Sequence, residues 1–143
     1  MGKGNTTINN LLKLIFNATN WSLIADNTVT SPLTNLYVAL HTANPGAGGS
    51  QTTSEAAYTS YARVAVARTT GGWTASSAQS TSPVAAITFP AATGGSETET
   101  YWSIGTLISG AGVILYSGTI TPNIVVTNGV TPSLTTASTV TEA

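Results

Sequence analysis

The stretch Ala62-Arg63-Val64-Ala65-Val66-Ala67-Arg68, followed by Gly71-Gly72-Trp73, decides how this chain is read. Val64 and Val66 stand two apart, with Arg63, Ala65 and Ala67 at the alternate positions. That period of two is the mark of a half-buried strand, whose successive side chains point to opposite faces. Gly71-Gly72 supplies a turn in which positive φ is cheap, and Trp73 begins the return. The same idiom recurs in both directions. Upstream, residues 36–40 (Leu-Tyr-Val-Ala-Leu) read as a strand, and Asn44-Pro45-Gly46-Ala47-Gly48-Gly49-Ser50 as an exposed loop reaching to about Ser54. Downstream, strands are expected at 84–89, where Pro90 stops the ladder, and at 101–104 and 113–116 around the Ser109-Gly110-Ala111-Gly112 turn. Residues 124–126 enter a tight turn at Asn128-Gly129, and residues 130–140 close the sheet.

One segment keeps a different rhythm. Ile8, Leu11, Leu12, Ile15 and Phe16 recur at spacings of three and four, which predicts a helix starting near Thr6 or Thr7, either of which can cap it. A helix this short is marginal alone, so its stripe must dock, either on the chain's own core or on a neighbouring subunit. Core packing is the ordinary reading of such a stripe. Short strands at intervals of roughly 8–12 residues then predict an all-β chain. The expected architecture is a single-domain β-sandwich or jelly roll with a short N-terminal helix: residues 1–34 form the helix and arm, and 35–143 the β-sandwich body.

Charged residues make up only 6% of the chain, against ~25% in an average soluble domain. Hydroxyls take their place, 27 Thr and 15 Ser, and the net charge is −1. A nearly neutral surface has little repulsion to keep copies apart. Nucleic acid is not an expected partner, because phosphate binding needs clustered cations and Lys3, Lys13, Arg63 and Arg68 are scattered. The absence of cysteine excludes disulfides and thiolate metal sites. Polar Asn9, Asn10, Lys13 and Asn17 interrupt the apolar N-terminal segment, so it is not expected to act as a signal peptide, and no run approaches the ~18 apolar residues of a membrane span.

The residues that could carry chemistry are few. His41 is the single histidine, and a Ser-His-Asp site would need it to meet Asp26 or a glutamate together with a hydroxyl nucleophile. No Gly-x-Ser-x-Gly elbow is present. Glu97 and Glu99 share a face of an extended segment and could offer oxygens to a hard cation, but no further ligand pattern supports them. The Gly-rich loop lacks the Gly-Lys-Ser/Thr ending of a phosphate cradle. These readings predict a protein that is not an enzyme and carries no cofactor or metal. Its binding residues are expected among the helix stripe and the rigid aromatics beside the loop: Ile8, Leu12, Ile15, Tyr58, Tyr61 and Arg63. Arg63 and Arg68, five apart, fall on opposite faces of their strand.

The run from Leu36-Tyr37-Val38-Ala39-Leu40-His41-Thr42-Ala43-Asn44-Pro45-Gly46 through Glu55-Ala56-Ala57-Tyr58-Thr59-Ser60-Tyr61 and on to Arg68 and Gly72-Trp73 resembles a family of small tailed-phage virion proteins. That family is often labelled tail fibre protein. The resemblance continues through Phe89-Pro90, Trp102-Ser103-Ile104-Gly105, Ser109-Gly110-Ala111-Gly112 and Asn128-Gly129-Val130-Thr131-Pro132. It implies a virion structural protein made in the bacterial host cytoplasm. Fibres usually build length from long repeats or heptads, which this chain lacks. The reading preferred from sequence is therefore a capsid cement or decoration protein on the capsid surface. Its expected partners are the major capsid protein and copies of itself, as a dimer or trimer, with no nucleic acid and no membrane. A tail or tail-fibre subunit, able to bind a host surface, is the alternative.

Overall fold

The computed structural model describes residues 5–21, 32–75 and 78–142. Lys3, Asp26 and most of the expected arm lie outside these residues. The elements in chain order are α1 (Asn5–Phe16), β1 (Asn35–His41), β2 (Val64–Ala67), β3 (Ser80–Thr81), β4 (Ile87–Thr88), β5 (Glu97–Gly105), β6 (Ile114–Val126), β7 (Ser133–Leu134) and β8 (Val140–Thr141). The chain is mostly β, with one short N-terminal helix. The strands form a sheet of order β2-β1-β5-β6 and two ribbons, β3-β8 and β4-β7. Two compact units result: residues 1–35, 66–86 and 134–143 in the first, residues 36–65 and 87–133 in the second.

In the first unit, α1 buries Ile8, Leu12 and Phe16, one residue per turn along a single stripe. The helix already includes Asn5, the first described residue, so Thr6 and Thr7 lie inside it rather than capping it. The ring of Phe16 meets Trp73 edge to face at 4.8 Å, and both side chains are fully buried. Two devices close the helix C-terminus, where unpaired carbonyls gather. Ala18, at φ 52°, turns the chain so that the Thr19 N–H returns to the Lys13 carbonyl at 3.1 Å. The Arg68 guanidinium donates to the Ile15 carbonyl at 2.5 Å and to the Leu14 carbonyl, placing a cation where the helix dipole is negative. The ribbon β3-β8 pairs Ser80 with Thr141 and Thr81 with Val140.

In the second unit, β1 and β5 pair antiparallel from Tyr37↔Gly105 to His41↔Tyr101. Leu36, Val38, Leu40 and Ile104 are buried there, and β2 shows the expected alternation, half-buried valines against exposed alanines. Strand β5 pairs in turn with β6. It begins at Glu97, four residues before the expected strand, because Thr98 and Thr100 favour extended backbone and Glu97 finds donors inside the unit. The two short strands expected at 113–116 and 124–126 are one strand. Glu99 pairs with Ile124 but Tyr101 with Thr119, so residues 120–123 bulge out of the ladder around Pro122, which has no N–H to donate.

Two expectations need correction. Only Ile87–Thr88 of the segment 84–89 is strand, and Val84 is exposed; prolines at 83 and 90 bracket the run too closely for a longer one. Residues 130–140 do not close the main sheet. They split into β7 and β8, separated by a turn in which the Ser138 N–H donates to the Thr135 carbonyl.

Candidate interaction site

The loop joining β5 to β6, residues 106–113, carries three exposed apolar side chains: Leu107, Ile108 and Val113, at 47%, 52% and 63% of full exposure. The loop that carries them is held by a buried polar support. Arg63 grips Glu55 through a two-pronged contact, Nε to Oε1 at 2.6 Å and Nη2 to Oε2 at 2.8 Å. The same guanidinium donates to the Leu107 carbonyl and the Gly110 carbonyl, both at 2.8 Å. One planar fork thus ties the segment before β2 to both sides of the loop tip. Lysine could not do this, since it lacks a fixed fork.

Gln51 secures the same loop from below. Fully buried, it accepts from the Leu107 N–H through Oε1 at 2.9 Å, and its own N–H donates to the Gly112 carbonyl at 2.9 Å. Its side chain fills the space that a Cβ would need at two glycines. An added Cβ at Gly105 would lie 2.2 Å from Gln51 Cδ, and one at Gly112 2.1 Å from Gln51 Oε1. The loop expected to be exposed as far as Ser54 is exposed along most of its length, Thr52 and Ser54 included, but it buries Pro45 and turns Gln51 inward to satisfy the β5–β6 connection.

Glu55 forms an antiparallel bridge with His41 at the end of β1, and its Oε1 also accepts from the Tyr61 hydroxyl at 3.0 Å. That hydroxyl in turn accepts from the Leu40 N–H at 3.1 Å. Burial and the adjacent Glu55 carboxylate push the Tyr61 phenol far above its ordinary value. Tyr58 stacks edge to face on Tyr61 at 5.3 Å and donates its hydroxyl to the Pro90 carbonyl. Burial, with Glu99 and Glu97 adding, pushes its pKa up to about 12. An open cleft of about 280 Å³ lies beside this network, lined by Glu55, Ala56, Tyr61, Ala62, Arg63, Ile108, Ser109 and Gly110. Its charged groups are already committed to one another, which leaves little to recognise a small polar ligand.

His41 sits in a second buried contact. Its Nδ1 faces the Thr53 carbonyl at 2.9 Å and therefore carries the proton, so Nε2 accepts from the Ser103 hydroxyl at 2.7 Å. A serine against an imidazole is an ingredient of nucleophilic catalysis. Here both residues are fully buried, between the β1 and β5 strands, and a backbone carbonyl stands where a carboxylate would. Burial lowers the His41 pKa, which keeps the ring neutral. At the far end of β5, Glu97 Oε1 accepts from the Ala57 and Tyr58 N–H groups, both at 2.8 Å. Glu99 is fully buried and neither of its oxygens receives a hydrogen bond. Burial raises its pKa to about 8, with the neighbouring Glu97 carboxylate adding to the rise. Among the described residues no group of three or more metal-ligating side chains forms.

The chain matches the family model described as podophage GP4 fiber I protein gp80 over residues 3–142. It belongs to that family. It is accordingly a structural protein of a tailed-phage virion, and the family carries a fibre's name. Comparison with the curated proteins gives no match.

Of the residues singled out from sequence, Tyr61 and Arg63 both bond Glu55, and Tyr58 joins them through its ring contact with Tyr61. Ile8, Leu12 and Ile15 belong to the other unit, where Ile8 and Leu12 are buried and Ile15 is half-buried. Sequence reasoning missed Gln51, Glu55, Ser103, Leu107 and Ile108. Glu55 could have been noticed as the acid eight residues before Arg63 in a chain with so few charges. Nothing in the sequence marks Gln51.

Proposed function

We propose that this chain is a structural subunit of the phage tail fibre and works by holding a neighbouring protein through the apolar tip of its β5–β6 loop. The observation that carries this reading is the anchoring of that loop. Arg63 and Gln51 fix its backbone at the Leu107 and Gly110 carbonyls and the Leu107 N–H, while the side chains of Leu107 and Ile108 remain outside. A tip that is already rigid has little ordering cost on binding, so its apolar area contributes to affinity nearly in full. The fibre description of the family supports the tail over the shell. The partners in this reading are other virion proteins and further copies of the chain, with neither nucleic acid nor membrane involved. No helix among the described residues is long and apolar enough to cross a membrane.

The reading includes no catalysis. The His41–Ser103 contact is sealed from solvent, so it serves to pin β1 to β5. Location is tested by gold-labelled antibody and cryo-imaging of whole particles. A few copies at the tail vertex are the expected result. Hundreds of copies spread over the shell would overturn it and establish the capsid-cement role instead.

A further inference from the structure

The turn at Asn128-Gly129 carries a chemistry that the fibre reading does not use. The Val130 N–H donates to the Thr127 carbonyl at 3.0 Å, which makes Asn128 and Gly129 the two central residues of a β-turn. Gly129 stands at φ 88°, a conformation that glycine takes without steric cost. Asparagine before glycine is also a pair prone to react with itself. The glycine backbone nitrogen attacks the side-chain carbonyl carbon of the asparagine, ammonia leaves, and a cyclic imide remains. Water then opens the ring at either carbonyl and gives aspartate or isoaspartate, so water is consumed and ammonia released. Glycine favours the attack because it has no side chain to shield the nitrogen. Of the asparagines in this chain, Asn128 alone precedes a glycine, and its side chain is exposed.

The attacking nitrogen must first shed its proton, and here that proton is engaged. The Gly129 N–H donates to the Ala92 carbonyl at 2.7 Å. Ala92 is buried, and its own N–H donates to the Val130 carbonyl at 2.8 Å, so the acceptor is fixed from the far side of the turn. The Phe89 N–H continues this ladder to the Pro132 carbonyl, and all of these residues lie in one compact unit. We infer that Asn128-Gly129 is a latent deamidation site, held unreactive while the Ala92 carbonyl keeps the Gly129 N–H and converted to aspartate or isoaspartate when that contact opens. Conversion adds a negative charge to a chain whose net charge is −1. The isoaspartyl form also lengthens the backbone by a methylene, in a turn whose return is tied to residues 89–92. The fold, rather than the dipeptide, thus sets the chemical lifetime of this turn. The inference stands on the turn alone and does not depend on the fibre reading.

The test incubates the full chain at mildly alkaline pH, folded and in guanidinium chloride, and follows digests by mass spectrometry with electron-transfer fragmentation, which tells isoaspartate from aspartate. In the unfolded chain Asn128 should convert ahead of Asn123, whose following Ile124 shields the nitrogen. In the folded chain the same conversion should be slower by about tenfold or more, roughly the ratio of closed to open states that one well-made hydrogen bond supports. Hydrogen exchange at the Gly129 amide should be slowed by a comparable factor, because both reactions wait for the same local opening. Asn128→Ser should remove the conversion from this peptide in both conditions. Equal rates in the folded and unfolded chains would overturn the protection, and an Asn128 that stays intact in guanidinium chloride would overturn the site. A folded chain whose Gly129 amide exchanges freely while Asn128 stays intact would overturn the role given to the Ala92 carbonyl.

Discussion

Replacing Arg63 by alanine removes four hydrogen bonds at once, two to Glu55 and two to the carbonyls of Leu107 and Gly110. The Arg63 side chain is 2% exposed and that of Glu55 16%, so the pair is not a surface ion pair of the kind that contributes ~0–1 kcal/mol. Taking away one member of a buried pair leaves the other charge uncompensated, at about 3–5 kcal/mol. That is a large share of a total stability on the order of 5–15 kcal/mol. Urea unfolding followed by tryptophan fluorescence should show a loss in this range for Arg63→Ala. Arg63→Lys should fall between the two proteins, because it restores the charge but not the fork. The double variant Arg63→Ala/Glu55→Ala should lose less than the sum of the singles, since the stranded carboxylate is then gone. Hydrogen exchange should place the local effect at the Leu107 amide. If Arg63→Ala unfolds within about 1 kcal/mol of the parent, or leaves exchange in residues 106–113 unchanged, the loop is not held as argued.

The glycine next to this clamp makes a second case. Gly112→Ala puts a Cβ 2.1 Å from Gln51 Oε1 and 2.9 Å from Leu107 Cβ, so calorimetry should show a loss of about 1–3 kcal/mol, the usual result of overpacking. Glu99 gives a pH dependence with a definite sign. Its folded pKa of about 8 lies above the ordinary 4.5, so its contribution is fully present below about 4.5 and is lost as pH rises through about 8. Glu99→Gln should therefore flatten the decline in melting temperature between those values, and an unchanged slope would show that Glu99 does not cause it. His41 acts in the opposite sense in the same profile. Its pKa is depressed from 6.5, so stability is constant above that value and falls as pH drops below it, in parent and variant alike.

The strand period at Val64 and Val66 and the stripe at Ile8, Leu12 and Phe16 were readable because local repetition reports which side faces the core. Turn glycines such as Gly110 and Gly129, both with positive φ, announced themselves by residue type. What was not readable depends on pairs far apart in the chain. Gln51 and Leu107 are 56 residues apart, and His41 and Ser103 are 62 apart, and neither member of either pair carries a pattern that names its partner. The bulge at residues 120–123 was hidden for a related reason. It exists because β6 has more residues than the facing stretch of β5, and strand length is a property of the pair.

The chain's shortage of charge is sharper in the fold than in the composition. Arg63 and Glu55 neutralise each other in the interior, Arg68 closes a helix, Glu97 holds two backbone amides, and Glu99 is buried without a donor. Five of the charged residues are therefore buried or half-buried, in a chain of which only 6% is charged. What the surface offers in their place is hydroxyls and an apolar loop tip. Contacts made by such a surface draw on apolar burial, which salt screens far less than it screens exposed charges. That trade suits the fibre-subunit role proposed above, in which the loop tip would hold a neighbour through changing ionic conditions. The buried fork of Arg63 is what makes it possible, because it gives a surface loop with almost no charge of its own a fixed shape to present.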